Sequence, residues 1–107
     1  MKHIIGNHKY QDEISISKAL SLITPEEVWI ELNLAGVPKK SCKSPFRDDR
    51  KPSFSVFQGR EGIWFFKDHA TGDGGNMITL WAEAKGIDSK TACREFMAFA
   101  KWKLGRG

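Results

Sequence analysis

The feature that most limits what this chain can become is a pair of short aromatic-rich runs separated by four turn-forming residues. Ser53 to Gln58 alternates, with Phe54 and Val56 on one face and Ser53, Ser55 and Phe57 on the other, the period-two pattern of a half-buried strand. Gly59-Arg60-Glu61-Gly62 turns the chain, and Ile63 to Asp68 then sets Ile63 and Phe65 on one face and Trp64 and Phe66 on the other. Aromatic and β-branched side chains suit a pleated surface, so the stretch predicts an antiparallel hairpin. A lone hairpin is marginal in water, so other elements must cover it.

Helices are written on both sides. Thr24-Pro25-Glu26-Glu27 carries the marks of a helix start: Thr24 as cap, Pro25 at the first helical position and Glu27 where a capping box needs it. Val28, Leu32 and Ala35 continue it beside Trp29 until Gly36 and Pro38 stop it. Upstream, Ile14, Ile16, Leu20 and Ile23 fit a short helix or an extended segment equally well. Downstream, the glycine-rich turn from Thr71 to Asn76 precedes Met77, Leu80, Trp81 and Ala84 at helical spacing, closed by Gly86. Asp88 or Ser89 caps a last helix whose stripe is Cys93, Phe96, Met97, Ala100 and Leu104, with a basic tail fraying from Lys101. A third strand is expected in the Lys39–Ser44 run. The fold class is therefore α+β, with an antiparallel sheet of about three strands flanked by helices.

A length of 107 residues supports one modest core. Met1 to about Asp12 is polar and aperiodic, an arm that includes His3 and His8. The expected division is an arm over residues 1–23 with at most a short helix, a domain over 24–104 and a tail over 105–107. No apolar run approaches membrane-spanning length and no signal-like segment follows Met1, so a cytoplasmic, non-membrane protein is expected. Cys42 and Cys93 are far apart, with no Cys-x-x-Cys pair, so both are expected as reduced thiols and Cys93 as core.

The net charge is +4, and the Lys39–Lys51 window alone holds six basic against two acidic residues. Cations for phosphates interleaved with flat rings for bases are what a single-stranded nucleic acid requires. Lys39, Lys40, Lys43, Arg47, Arg50, Lys51, Arg60 and Lys67 are the candidate DNA-binding cations, with Phe57 and Trp64 as candidate stacking surfaces. The plainer reading is a solvated charged face with both rings in the core. Gly72-Asp73-Gly74-Gly75-Asn76 is better read as a helix-capping turn than as a phosphate cradle, since it lacks the P-loop lysine. Asp48, Asp49, Asp68 and Asp73 are better read as turn residues or arginine partners than as a magnesium site.

From Leu32 to Phe96 the sequence resembles the zinc-binding, template-recognising domain at the N-terminus of bacterial-type DNA primases, a zinc-ribbon-like unit. The residues that carry the likeness are Ser44-Pro45-Phe46-Arg47, Lys51-Pro52-Ser53-Phe54-Ser55-Val56, Trp64-Phe65-Phe66-Lys67-Asp68-His69 and Gly74-Gly75-Asn76-Met77-Ile78. The family's Cys-His-Cys-Cys ligand positions correspond to Ser44, Arg47, Phe66 and His69. Zinc needs thiolate, imidazole or carboxylate donors. Arg47 and Phe66 offer none and Ser44 a weak one, so no cofactor is expected. A site improvised from Cys42 and His69 with Asp68 is the alternative. Without a metal, Phe66 is expected to fill the vacated space with Phe46 and Trp64, and Arg47 to pair with Asp68 or Asp49.

The resemblance implies template recognition in replication priming, with single-stranded DNA as the partner. The catalytic domain of such primases is not part of this resemblance, so no enzymatic activity is expected. The competing expectation is a protein-interaction module that docks a primase catalytic chain, a helicase or a second copy of itself.

Overall fold

The computed structural model describes residues 14–47 and 51–105. Its elements are helix α1 (Ile16–Leu22), helix α2 (Pro25–Leu32), strand β1 (Phe54–Gln58), a single 3-10 turn (Arg60–Gly62), strand β2 (Trp64–Asp68), strand β3 (Gly74–Asn76), helix α3 (Met77–Lys85) and helix α4 (Ser89–Gly105). The sheet is antiparallel throughout, in the order β1-β2-β3. This is the α+β architecture that the alternating aromatic runs predict.

The hairpin register pairs Phe54 with Asp68, Val56 with Phe66 and Phe57 with Phe65. Because side chains alternate across a strand, that register sends Phe54, Val56 and Phe66 to one face and Phe57 and Phe65 to the other. The first face is buried against the helices. Its centre is Phe54, which stacks on Phe66 at 5.4 Å between ring centroids and meets Trp29 and Phe46 edge-on at 6.4 and 6.0 Å. Offset-stacked and edge-on arrangements are the favourable ones for aromatic pairs.

α1 resolves the ambiguity of its sequence as a helix, with the Ser15 hydroxyl accepting from the Lys18 amide at the N-terminus. Ala19, Leu20 and Ile23 enter the core. In α2 the capping box forms in both directions: the Thr24 hydroxyl accepts from the Glu27 amide and the Glu27 carboxylate from the Thr24 amide. The helix ends earlier than the spacing of Ala35 and Gly36 suggests. Asn33 takes the left-handed conformation at φ 54°, and the Leu34 amide closes back on the Trp29 carbonyl, the geometry that terminates helices and that Asn tolerates better than most side chains.

The third strand is also not the expected one. Lys39–Ser44 contributes only a bridge between Cys42 and Phe54, plus the Val56 amide donating to the Lys39 carbonyl, while Gly74–Asn76 pairs along the other edge of the hairpin. Pro38 and Pro45 flank the 39–44 run and cannot donate to a ladder, which shortens its pairing. Asn76 then caps α3 with its side-chain oxygen, accepting from the Ile78 and Thr79 amides at 2.9 and 3.1 Å. The glycine-rich segment is therefore a strand leading into a cap, with its helix-start donors already engaged.

α3 buries Met77, Ile78, Leu80 and Trp81, and α4 buries Ala92, Phe96, Phe99 and Ala100. Asp88 supplies the α4 start by accepting from the Thr91 amide at 2.7 Å. The α4 stripe is rotated relative to expectation, with Cys93, Met97 and Leu104 packed at its margin rather than fully enclosed. The helix also continues through Gly105, so residues 101–105 of the expected tail are helical. Glu95 clamps the two helices by accepting from the Trp81 indole at 3.0 Å and from Lys85 at 2.8 Å. Among the described residues no helix is long and apolar enough to cross a membrane.

Candidate nucleic-acid interface

The stretch from Ser44 to Arg47 is anchored by two devices. The buried Ser44 hydroxyl accepts from the Phe46 amide at 3.0 Å, an ST-turn that fixes the Pro45-Phe46 bend. Arg47 then reaches across to β2 and donates both arms of its guanidinium to Asp68, at 2.7 and 2.9 Å, with a further contact to the Ser53 hydroxyl at 3.3 Å. This is the pairing expected for Arg47, with Asp68 as the partner; Asp49, like Asp48 and Arg50, lies outside the described residues.

Asp68 is only 2% exposed. One of its carboxylate oxygens also accepts from the Ala70 and Thr71 amides, at 3.0 and 3.3 Å, and its backbone exchanges bonds with Asp73 and Gly72. A single side chain thus ties Arg47, β2 and the turn into β3 together. The hydrogen bonds from Arg47, aided by those from the two amides, outweigh burial and hold the Asp68 pKa at about 2, well below its ordinary 3.8.

The four positions at which the resemblance places metal ligands do not fit a metal. Ser44 is spent on the Phe46 amide, Arg47 is a cation bound to Asp68, and Phe66 is enclosed in the aromatic stack. His69 is exposed and shares a 2.9 Å hydrogen bond with Ser55 through its Nε2. Cys42 is half-buried in its bridge to Phe54, and among the described residues no three His, Cys, Asp or Glu side chains gather as a metal site. Phe66 packs into the core as expected, stacked on Phe54, with Phe46 and Trp64 partly buried against the same core.

The outer face of the sheet has a different character. Phe57 and Phe65, opposite each other in the register, lie with ring centroids 6.1 Å apart and planes 27° from parallel. They floor an open groove of about 700 Å³ whose rim includes Lys40, Lys67, His69 and Ser55. Gly59 makes room for this floor, because a Cβ there would come within 2.8 Å of the Phe65 ring. On the β3 side Gly74 and Gly75 leave the groove without side chains.

The comparisons add no relative: no family model, curated protein or solved structure matches this chain.

The candidate cations separate into groups. Lys40 and Lys67 border the groove, with Lys67 also donating to the Gly72 carbonyl at 3.0 Å. Lys39, Lys43 and Arg47 border a second cleft beside Val37 and Pro52. Arg60 is exposed in the turn at the end of the hairpin and Lys51 is exposed beside Pro52. Of the two candidate rings, Phe57 is on the outer face and 39% exposed. Trp64 is on the opposite face of β2, half-buried against the core and bordering a concavity with Pro25 and Val56. Phe65, and not Trp64, is the ring that shares the outer face with Phe57. A four-residue turn closed by Gln58 and Ile63 would set Phe57 opposite Trp64; the observed hairpin instead pairs Gln58 with Trp64, one residue further on, which sets Phe57 opposite Phe65.

Proposed function

We propose that this chain is a single-stranded DNA-binding module, a metal-free counterpart of the template-recognition domain of bacterial-type primases, acting in replication priming without catalysis of its own. The observation that carries this reading is the Phe57–Phe65 pair, two stacked rings on the solvent side of a sheet in a groove bordered by Lys40, Lys67 and His69. Flat rings stack on bases of any identity, while lysines neutralise the backbone. The rings are held in place by strand register and by the glycine at position 59, so little order is lost on binding.

Fluorescence anisotropy of a labelled oligothymidylate tests the reading. The wild-type protein should bind, and binding should weaken steeply as salt rises. Phe57→Ala with Phe65→Ala should lower affinity at least roughly tenfold, since stacking is worth about 1–3 kcal/mol per base. Thermal melting checks that the variant remains folded. No salt-sensitive binding by the wild-type protein would refute the proposal.

The second reading, a docking module for a primase catalytic chain, a helicase or a second copy, draws on the same groove and on the exposed Ile30 and Trp102 of the helical side. A mainly apolar interface would depend weakly on salt, which separates it from phosphate binding.

A further inference from the structure

Three concave regions meet at Lys39 and Lys40. Lys40 borders the sheet-face groove, Lys39 borders the second cleft of about 510 Å³, and both border the concavity beside Phe57 and Trp64. The pair is fixed at the β1 edge, because the Lys39 carbonyl accepts from the Val56 amide at 2.9 Å and Cys42 bridges to Phe54.

The second cleft differs in chemistry from the first. Its walls include Val37, Cys42 and Pro52, and among the described residues no aromatic ring borders it, so those residues give a base nothing to stack on. Arg47 borders it too, but its fork is held by Asp68. Lys39 and Lys43 are exposed and make no ion pair among the described residues, so they carry the charge that the cleft offers to a ligand.

We infer that this cleft takes backbone phosphates of the same strand whose bases lie on Phe57 and Phe65, the strand crossing the β1 edge over Lys39 and Lys40. The inference rests on the proposed DNA-binding reading and extends it. It assigns the two sets of cations different tasks: Lys40 and Lys67 act beside stacked bases, whereas Lys39 and Lys43 act on a stretch of backbone read without regard to sequence.

Chain length separates the two clefts. Oligothymidylates of about 3 and about 12 nucleotides, the second within the site sizes of roughly 4–16 nucleotides that single-strand binding folds cover, are titrated against wild-type protein and a Lys39→Gln, Lys43→Gln double variant. Both substitutions are at exposed positions, and melting confirms an unchanged fold. The expected result is unchanged affinity for the short oligomer and a loss of about tenfold for the long one. The salt slope for the long oligomer should fall by about 1.4, two phosphate contacts at roughly 0.7 each for a single strand. Equal losses for both lengths, or no loss for either, overturn the second cleft while leaving the platform reading in place. Failure of the wild-type protein to bind either oligomer overturns both.

Discussion

Replacing Asp68 with Ala is expected to destabilise the protein by about 3 kcal/mol, the lower end of the cost of breaking a buried ion pair from one side. The lower end applies because Arg47 keeps 33% of its side chain exposed and regains some hydration when its partner is lost. Beyond the bidentate contact, the variant removes the acceptor of the Ala70 and Thr71 amides; both residues are exposed, so water replaces it and this adds little to the cost. For a domain of this size about 3 kcal/mol lowers the melting temperature by roughly 12–24 °C. Asp68→Asn keeps an acceptor for the amides and loses the charge, so it should fall between wild type and Ala. Urea unfolding of the three proteins at neutral pH measures this, and a loss below about 1 kcal/mol in Asp68→Ala would show that the clamp is not a structural support.

The same residue sets an acid limb. Its folded pKa of about 2 lies below the ordinary 3.8, so the unfolded chain binds the proton more readily. The stabilisation is therefore fully present above about pH 4 and is lost as pH falls from there towards 2, a total of about 2 kcal/mol. Asp68→Ala should lack this part of the pH dependence, so wild-type and variant stabilities should converge in acid.

What could be read in advance depended on whether the determining interaction was local. The capping box at Thr24 and Glu27 and the alternation of Phe54 and Val56 are written within a few residues, and both are realised. β3 was hidden because Gly74 and Gly75 have low strand propensity; its pairing comes from the open edge of β2 and the Asn76 cap that follows. The faces of β2 were undecidable from its own residues, since Ile63, Trp64, Phe65 and Phe66 are apolar on both sides. Burial of Phe66 and the place of half-buried Phe65 on the outer face follow from the register with β1. That is why Lys40, Lys67 and Phe57 of the candidate groove were among the residues singled out from the sequence and Phe65 was not. The Arg47–Asp68 contact spans 21 residues. It was anticipated through the primase resemblance, whose ligand frame places the two positions near each other, and not through any periodicity.

Among Ser44, Arg47, Phe66 and His69, Phe66→Ala should be the most damaging single substitution, with an expected loss of about 4 kcal/mol. Phe66 is 1% exposed and stacks within 15° of parallel on Phe54, which itself holds Trp29 and Phe46. Truncation removes the transfer energy of the ring, leaves a cavity that β1 and β2 are too constrained by their ladder to close, and loosens the ring at the centre of the core. Phe66→Leu retains most of the volume and should lose only part of that stability. A double-mutant cycle with Phe54→Leu isolates the ring-on-ring contribution, expected at roughly 0.5–1.5 kcal/mol. If Phe66→Ala costs less than about 1 kcal/mol, the ring is not what holds the 44–47 segment to the sheet. If the cost is as large as expected, the 44–47 segment depends on two supports of different chemistry: the aromatic stack beneath it, and the Arg47–Asp68 pair beside it, which acid weakens and the stack does not feel.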